Sequence, residues 1–185
     1  IIMSLGSLVF GALFAFLIFV FFTVLLSIFR KEEYPDYGPK VSIIIPCYNE
    51  EKNIEECLDA VYNSDYPKDK MEVIVVDDGS TDNTRKILKE YMMKKKSLIV
   101  VRGSHKGKSE SLNAGVKRSS HGIIVTLDAD TIVERDSIRK LVKPFVYKKV
   151  GATNGSCIVR NSGSLAGMFQ NIEYHYNNLI RRSFS

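Results

Sequence analysis

Four short apolar runs dominate the middle of the chain: VSIIIP (Val41 to Pro46), MEVIVVD (Met71 to Asp77), SLIVVR (Ser97 to Arg102) and GIIVTLD (Gly122 to Asp128). Each is rich in β-branched residues and bounded by polar or turn-forming ones, the pattern of a strand covered on both faces. The stretches between them have a helical period. In NEEKNIEECLDAVYNS, Ile54, Leu58, Val61 and Tyr62 fall on one face, with Asn49 as N-cap and Glu50 and Glu51 in the first turn. STDNTRKILKEYMMKK turns Ile87, Leu88, Tyr91 and Met92 inward, and KSESLNAGVKRSS gives a short third helix. ERDSIRKLVKPFV gives a fourth, with Ile138, Leu141, Val142 and Phe145 on a stripe that Pro144 ends or kinks. Strands alternating with helices of this length predict βαβ units and a mostly parallel sheet in an α/β domain.

The chain has 185 residues, with 26 basic and 21 acidic side chains and a formal charge of +5. All of that charge lies at or after Arg30. Residues 1–29 hold no Asp, Glu, Lys, Arg or His, and a stretch longer than ~20 apolar residues can span a bilayer. A cleaved leader has a shorter apolar region and a small-x-small site, which is missing before Arg30. We therefore expect a membrane helix over 1–29, a linker over 30–40 (KEEYPDYGPK from Lys31) and a domain over 41–185. Arg30 and Lys31 directly after the helix place that domain on the cytoplasmic side. Cys47, Cys57 and Cys157 have no metal-site spacing and read as reduced, structural thiols. The basic excess is mild and no aromatic-interleaved basic stripe accompanies it, which excludes nucleic acid as a partner. Lys94 to Lys96 suit a solvated helix terminus.

Ligands of open parallel sheets bind beyond the carboxyl ends of the strands. Those ends read PCYNE, DDGSTD, GSHKGKSESLN and DADT: three carry acids and one is basic. If the extended conformation persists past Leu127, Asp128 and Asp130 point to the same side. Two ionised carboxylates held close together need a proton or a cation between them. Mg²⁺ and Mn²⁺ prefer oxygen, and Mg²⁺ typically takes one or two carboxylates plus phosphate oxygens. A nucleoside diphosphate with a divalent cation would satisfy all four ends. Lys108 would neutralise a phosphate, Asp78 accept from a ribose or base group, and Tyr48 offer an aromatic face to a base.

Each signal alone has a plainer reading. A lone DxD is commonly a solvated loop, Tyr48 alone packs, and Lys108 alone is an ordinary helix-start lysine. DDGSTD combines a turn with an N-cap, so Ser80 to Asp82 read as structural and Asp78 as functional. His105, His121 and His175 are scattered and read as incidental. No GxGxxG follows the first strand, which disfavours a dinucleotide-binding domain.

Taken together, VSIIIPCYNEEKNI, VIVVDDGSTDNT, GKSESLNAG and VTLDADT resemble the nucleotide-sugar half of the inverting family 2 glycosyltransferases, in order from about Val41 to Asn161. The apolar helix, VGATNGSCIVRN and QNIEYHYNNLIRR are similar to the processive membrane-bound branch, which includes poly-N-acetylglucosamine, chitin and hyaluronan synthases. The resemblance implies a Rossmann-like GT-A domain with a mostly parallel central sheet. It also implies a UDP-sugar donor, a glycan or lipid-linked acceptor, and inverting transfer in polysaccharide or glycoconjugate synthesis at the plasma membrane. Pro46, Tyr48 and Glu50 would surround the uracil, Asp78 the nucleoside and Lys108 the diphosphate. Asp128 and Asp130 would be the DxD that binds Mg²⁺ or Mn²⁺, with Asp130 the more direct ligand.

Family members place a general base in a Glu-Asp or Thr-Glu-Asp motif further on, and membrane-bound ones add Gln-x-x-Arg-Trp. This sequence has no Trp, no Glu-Asp pair, and no acid after Asp136 except Glu173. The expectation is a donor-binding part, truncated before an acceptor and base region beyond Ser185, that binds nucleotide and transfers sugar poorly or not at all. Two alternatives remain at this point. One is a haloacid-dehalogenase-like phosphatase with Asp128 as nucleophile, although Thr131 stands one position off that motif and the DxD strand is fourth rather than first. The other is a non-catalytic, membrane-tethered nucleotide-sugar binder.

Overall fold

In the computed structural model of the protein, residues 5–29, 33–158 and 165–183 are described, so Arg30, Lys31 and Asn161 lie outside the described residues. They form two units, Tyr34–Thr153 and a second made of the two ends of the chain. The second unit contains Leu5–Phe29 (α1) and Leu165–Ser183 (α6). Within α1, Gly6–Leu26 has a mean hydropathy of 2.9 and is long and apolar enough to cross a membrane.

The larger unit runs Val41–Cys47 (β1), Ile54–Tyr62 (α2), Met71–Asp77 (β2), Thr84–Lys94 (α3), Leu98–Arg102 (β3), Lys108–Arg118 (α4), Ile123–Thr126 (β4) and Ser137–Val142 (α5). Every strand pair is parallel and the order is β3-β2-β1-β4. Val41 stands beside both Met71 and Ile123, so the three strands start level. Alternation along β1 and β2 divides the core in two. Ile43, Ile45, Val73 and Val75 pack with Ile54, Leu58 and Val61 of α2, Leu88 and Tyr91 of α3, and Ile138 and Val142 of α5. Ile44, Ile74 and Val76 face the other way, against Leu112 and Ala114 of α4. Burying each such aliphatic side chain contributes about 1.5–3 kcal/mol. On that second face α4 approaches so closely that a Cβ on Gly115 would run into the side chain of Ile44.

Several local expectations are revised. The chain of β4 is only half-buried, because the strand order leaves it with one neighbour, β1, among the described strands. Met92 is 39 % exposed rather than inward. α2 starts at Ile54, and Asn49 is in the left-handed region (φ 55°) instead of capping it. Pro144 does end α5, which continues as a 3-10 turn over Lys143–Val146. The stretch before β1 is bound along the domain from Tyr34 onward. Tyr66 donates to the Pro39 carbonyl, Lys70 Nζ to Gly38 O at 2.9 Å, and Arg139 pairs with Asp36 at 3.4 Å.

A polar clamp closes the amino edge of the sheet. The Glu72 carboxylate accepts from Ser42 Oγ at 2.5 Å, from the Ser120 amide at 2.7 Å and from Ser120 Oγ at 2.9 Å, while the His121 amide donates to Ser42 Oγ at 3.2 Å. Burial pushes the Glu72 carboxyl up, but the bonds from Ser42 and Ser120 outweigh it and hold it below its usual range.

Gly115→Ala is expected to destabilise the domain by about 1–3 kcal/mol, the usual range for overpacking, read as a fall in the thermal midpoint. An unchanged midpoint would show that α4 can ride further from the sheet at no cost.

Candidate functional site

The strand order reverses between β1 and β4, where an open sheet leaves a crevice. A cavity of about 460 Å³ lies over the carboxyl edge. Every strand end contributes: Pro46 and Cys47 at the end of β1 with Tyr48 and Glu50 after it, Asp78 after β2, His105, Gly107, Lys108 and Ser111 after β3, and Asp128 to Asp130 after β4. All seven residues singled out in the sequence therefore line one space.

The loops after β1 and β2 hold each other. The Asn49 amide donates to Ser80 Oγ (3.0 Å), the Glu50 amide to Thr84 Oγ1 (2.9 Å) and the Glu51 amide to Asp82 Oδ2 (3.2 Å). In return, the Thr81 amide donates to Asn49 Oδ1 (2.8 Å) and the Asn83 amide to Glu51 Oε2 (2.9 Å). Asn49 and Glu51 thus cap the neighbouring turn rather than their own helix. The N-cap of α3 is Asn83 rather than a residue of Ser80 to Asp82, and Asp82, one position earlier, accepts from the Thr84 amide through Oδ1 at 3.0 Å. Beneath them Asp77 accepts from the Ser80 amide (2.9 Å) and from Arg85 Nε (3.0 Å). Burial opposes its charge, but those bonds outweigh it and hold the carboxyl below its usual value.

Asp78 is 6 % exposed. Its Oδ2 accepts from the Gly107 amide (2.8 Å) and its Oδ1 from the Lys106 amide (3.3 Å), while His105 Nδ1 lies 3.0 Å from its carbonyl oxygen. The carboxylate is therefore a strut that shapes the loop at Lys106 and Gly107 in the cavity wall. Gly107, at φ 90°, makes the bend from that loop into α4. His105, read from sequence as incidental, is brought against Tyr48, ring centroids 4.8 Å apart. Its contact came from loop shape, and only its position between β3 and α4 hinted at it.

β4 stops at Thr126 and Asp128 begins a turn, the Thr131 amide donating to Asp128 O at 3.0 Å. The turn keeps the result expected of an extended chain: Ala129 is buried in the core while Asp128 and Asp130 are exposed to the cavity. Lys108 Nζ is 2.6 Å from Asp128 Oδ1, with both side chains more than half exposed, so the pair adds little to stability. Among the described residues no group of three or more His, Cys, Asp and Glu could hold a metal ion. A cation here would have two carboxylates from the chain and the rest of its shell from a ligand, a donor set that suits Mg²⁺ or Mn²⁺ beside phosphate. Behind this wall Cys57 Sγ donates to Asp128 O at 3.7 Å. Burial, then the nearby Asp130 and Glu50, push its thiol up to about 12; burial and Asp77 do the same for Cys47.

The model of glycosyl transferase family 2 matches residues 42–183. The chain belongs to that family. It is 34% identical over 135 residues to a poly-β-1,6-N-acetyl-D-glucosamine synthase of Staphylococcus epidermidis, and 35% identical over 135 residues to that of Staphylococcus aureus. In each case the match takes in 72% of this chain and 32% of the relative, so the chain spans about a third of the length of these curated relatives. Among solved structures, a mannosyltransferase from Pyrobaculum calidifontis in complex with GDP-Man and Mn²⁺ aligns with TM-score 0.61 and 36% identity, over 71% of this chain and 42% of its own. Staphylococcus aureus TarS in complex with UDP-GlcNAc aligns with TM-score 0.51 and 26% identity, over 66% of this chain and 38% of its own. The GT-A-like fold of the chain and its mostly parallel sheet agree with these neighbours, and the phosphatase alternative falls with the family match.

Only the thiolate reacts with alkylating agents. Iodoacetamide at neutral pH should therefore label the native chain once, at the exposed Cys157, and three times after denaturation. Mass spectrometry of the peptides checks this; native labelling of Cys47 or Cys57 at a comparable rate would contradict the buried, protonated thiols.

Proposed function

We propose that this chain is the donor-binding part of a membrane-anchored, metal-dependent glycosyltransferase that uses a UDP-sugar. The observation that carries the reading is the convergence of Pro46, Tyr48, Glu50, Asp78, Lys108, Asp128 and Asp130, from four strand ends, on one cavity. Its charge argues for the cation. Glu50, Asp78, Asp128 and Asp130 face a single ammonium, Lys108, so an anionic diphosphate is repelled unless a divalent cation enters with it.

In this reading Asp130 and Asp128 hold Mg²⁺ or Mn²⁺, which when bound offsets the charge that develops on the departing diphosphate. Lys108 exchanges its contact with Asp128 for one with phosphate. Tyr48, next to His105, forms the wall for the base, with Pro46 and Glu50 at the same end. Asp78 lies toward the nucleoside while it shapes the loop leading to Lys108. The anomeric carbon is then presented for attack by an acceptor hydroxyl with inversion, its proton passing to a carboxylate outside the cavity. The relatives that make poly-β-1,6-N-acetyl-D-glucosamine, and the UDP-GlcNAc-bound neighbour, favour a UDP-N-acetylhexosamine donor and a glycan or lipid-linked acceptor. α1 serves as the anchor, and Arg30 with Lys31 favour a cytoplasmic domain at the plasma membrane.

Calorimetric titration of UDP into the detergent-solubilised chain is expected to show binding that requires Mn²⁺. Asp130→Ala should weaken it by roughly 100-fold or past detection, at least the loss seen when a residue supporting a metal ligand is removed. Equal UDP affinity with and without the ion, or in the variant, would sink the metal assignment. Preference for GDP over UDP would move the donor class.

A further inference from the structure

Ser111 stands in the second turn of α4, three residues after Lys108, so the two side chains share one helix face. It is 2 % exposed and lines the cavity. Among the described residues its Oγ is the one buried side-chain polar atom without a hydrogen-bond partner. A helical serine can usually satisfy itself by donating to the carbonyl four residues back. Here Gly107 O accepts the Ser111 amide, at 3.1 Å, and not the hydroxyl. Burying an unpaired hydroxyl is unfavourable, and folded proteins avoid it unless a group outside the chain takes up the bond.

A second feature opens on the same space. α4 has 11 residues and starts at Lys108; the Asp78 carboxylate takes the amide of its N-cap residue, Gly107, and no side chain of the helix start caps the turn that follows. Its first-turn amides have no intrahelical acceptors, and the helix dipole makes this end electropositive. The amides and the Lys108 ammonium are donors only, and the Ser111 hydroxyl can donate beside them, a set that suits an acceptor-only group. A sugar or a base, which offers donors and acceptors together, would be served less well. The base end of the cavity is also already walled by Tyr48 and His105.

Resting on the donor reading above, we infer that the Ser111 hydroxyl and the amino end of α4 bind diphosphate oxygens of the nucleotide, beside Lys108 and Asp128. Ser111 is then a ligand-binding residue that also decides how tightly the diphosphate is held.

The test titrates UDP with Mn²⁺ into the full 185-residue chain in detergent, wild type against Ser111→Ala, and follows uridine binding by ligand-observed NMR. The variant should bind UDP roughly tenfold or more weakly, the loss expected for one hydrogen bond to a charged group. Its uridine affinity should not change, and the midpoint of the ligand-free chain should stay level or rise slightly, since the hydroxyl has no partner there. Unchanged UDP affinity would overturn the inference. So would an equal loss for uridine, which puts the hydroxyl at the nucleoside, or a lowered ligand-free midpoint, which makes it structural. If the wild type takes up neither UDP nor GDP, the donor reading itself fails and the inference with it.

Discussion

The arrangement at the cavity depends on the pairing of β1 with strands on both sides, both parallel to it. Parallel pairing brings all four carboxyl ends to one edge, and level register at Val41 fixes how far each loop projects. The reversal of strand order beside β1 then opens the crevice that those loops line. Ile43, Ile44 and Ile45 are fully buried, with consecutive side chains committed to opposite layers. A slip of one residue would exchange the two layers and tear both cores apart. Placement of Asp128 relative to Tyr48 is therefore a consequence of aliphatic packing some distance beneath it.

Above that edge, polar side chains are employed in holding loops before any ligand is considered. Asn49, Glu51, Asp82 and Asp77 accept backbone amides from neighbouring turns, and Asp78 accepts two from the loop after β3. The bonds to the carboxylates of Glu51, Asp77, Asp78 and Asp82 are charge-assisted and stronger than neutral ones. The result is a rim whose shape is set internally, with Asp130 and Lys108 left exposed at the cavity. Preorganisation of this kind spares any ligand of the cavity the entropy of ordering the loops.

Much of this was legible in the residues. The inward face of α2 follows from local spacing, and the site residues follow from looking past each strand of a predicted parallel sheet. What escaped depends on partners distant in sequence. Asn49 looks like an N-cap, yet its acceptor is used 32 residues away at Thr81. His105 looks incidental until the loop after β3 folds over Tyr48. Ser111 is indistinguishable from any polar helical residue unless its lack of a partner is seen in three dimensions. The half-buried state of β4 could not be read from its apolar run, because composition does not reveal which strand ends at an edge.

The clamp at the amino edge also bears on how the domain comes together. Ser42 must meet the His121 amide across 79 positions of chain, and Glu72 must meet Ser120 across 48. A chain with only β1, β2 and β3 in place would leave the Ser42 hydroxyl short of one partner, and the Ile44 layer bare until α4 docks. Neither shortfall is made good locally, so the partial sheet gains little before its last strand arrives. Such long-range closure slows folding. It also favours all-or-none assembly: the cavity rim and the opposite edge come together as β4 pairs with β1.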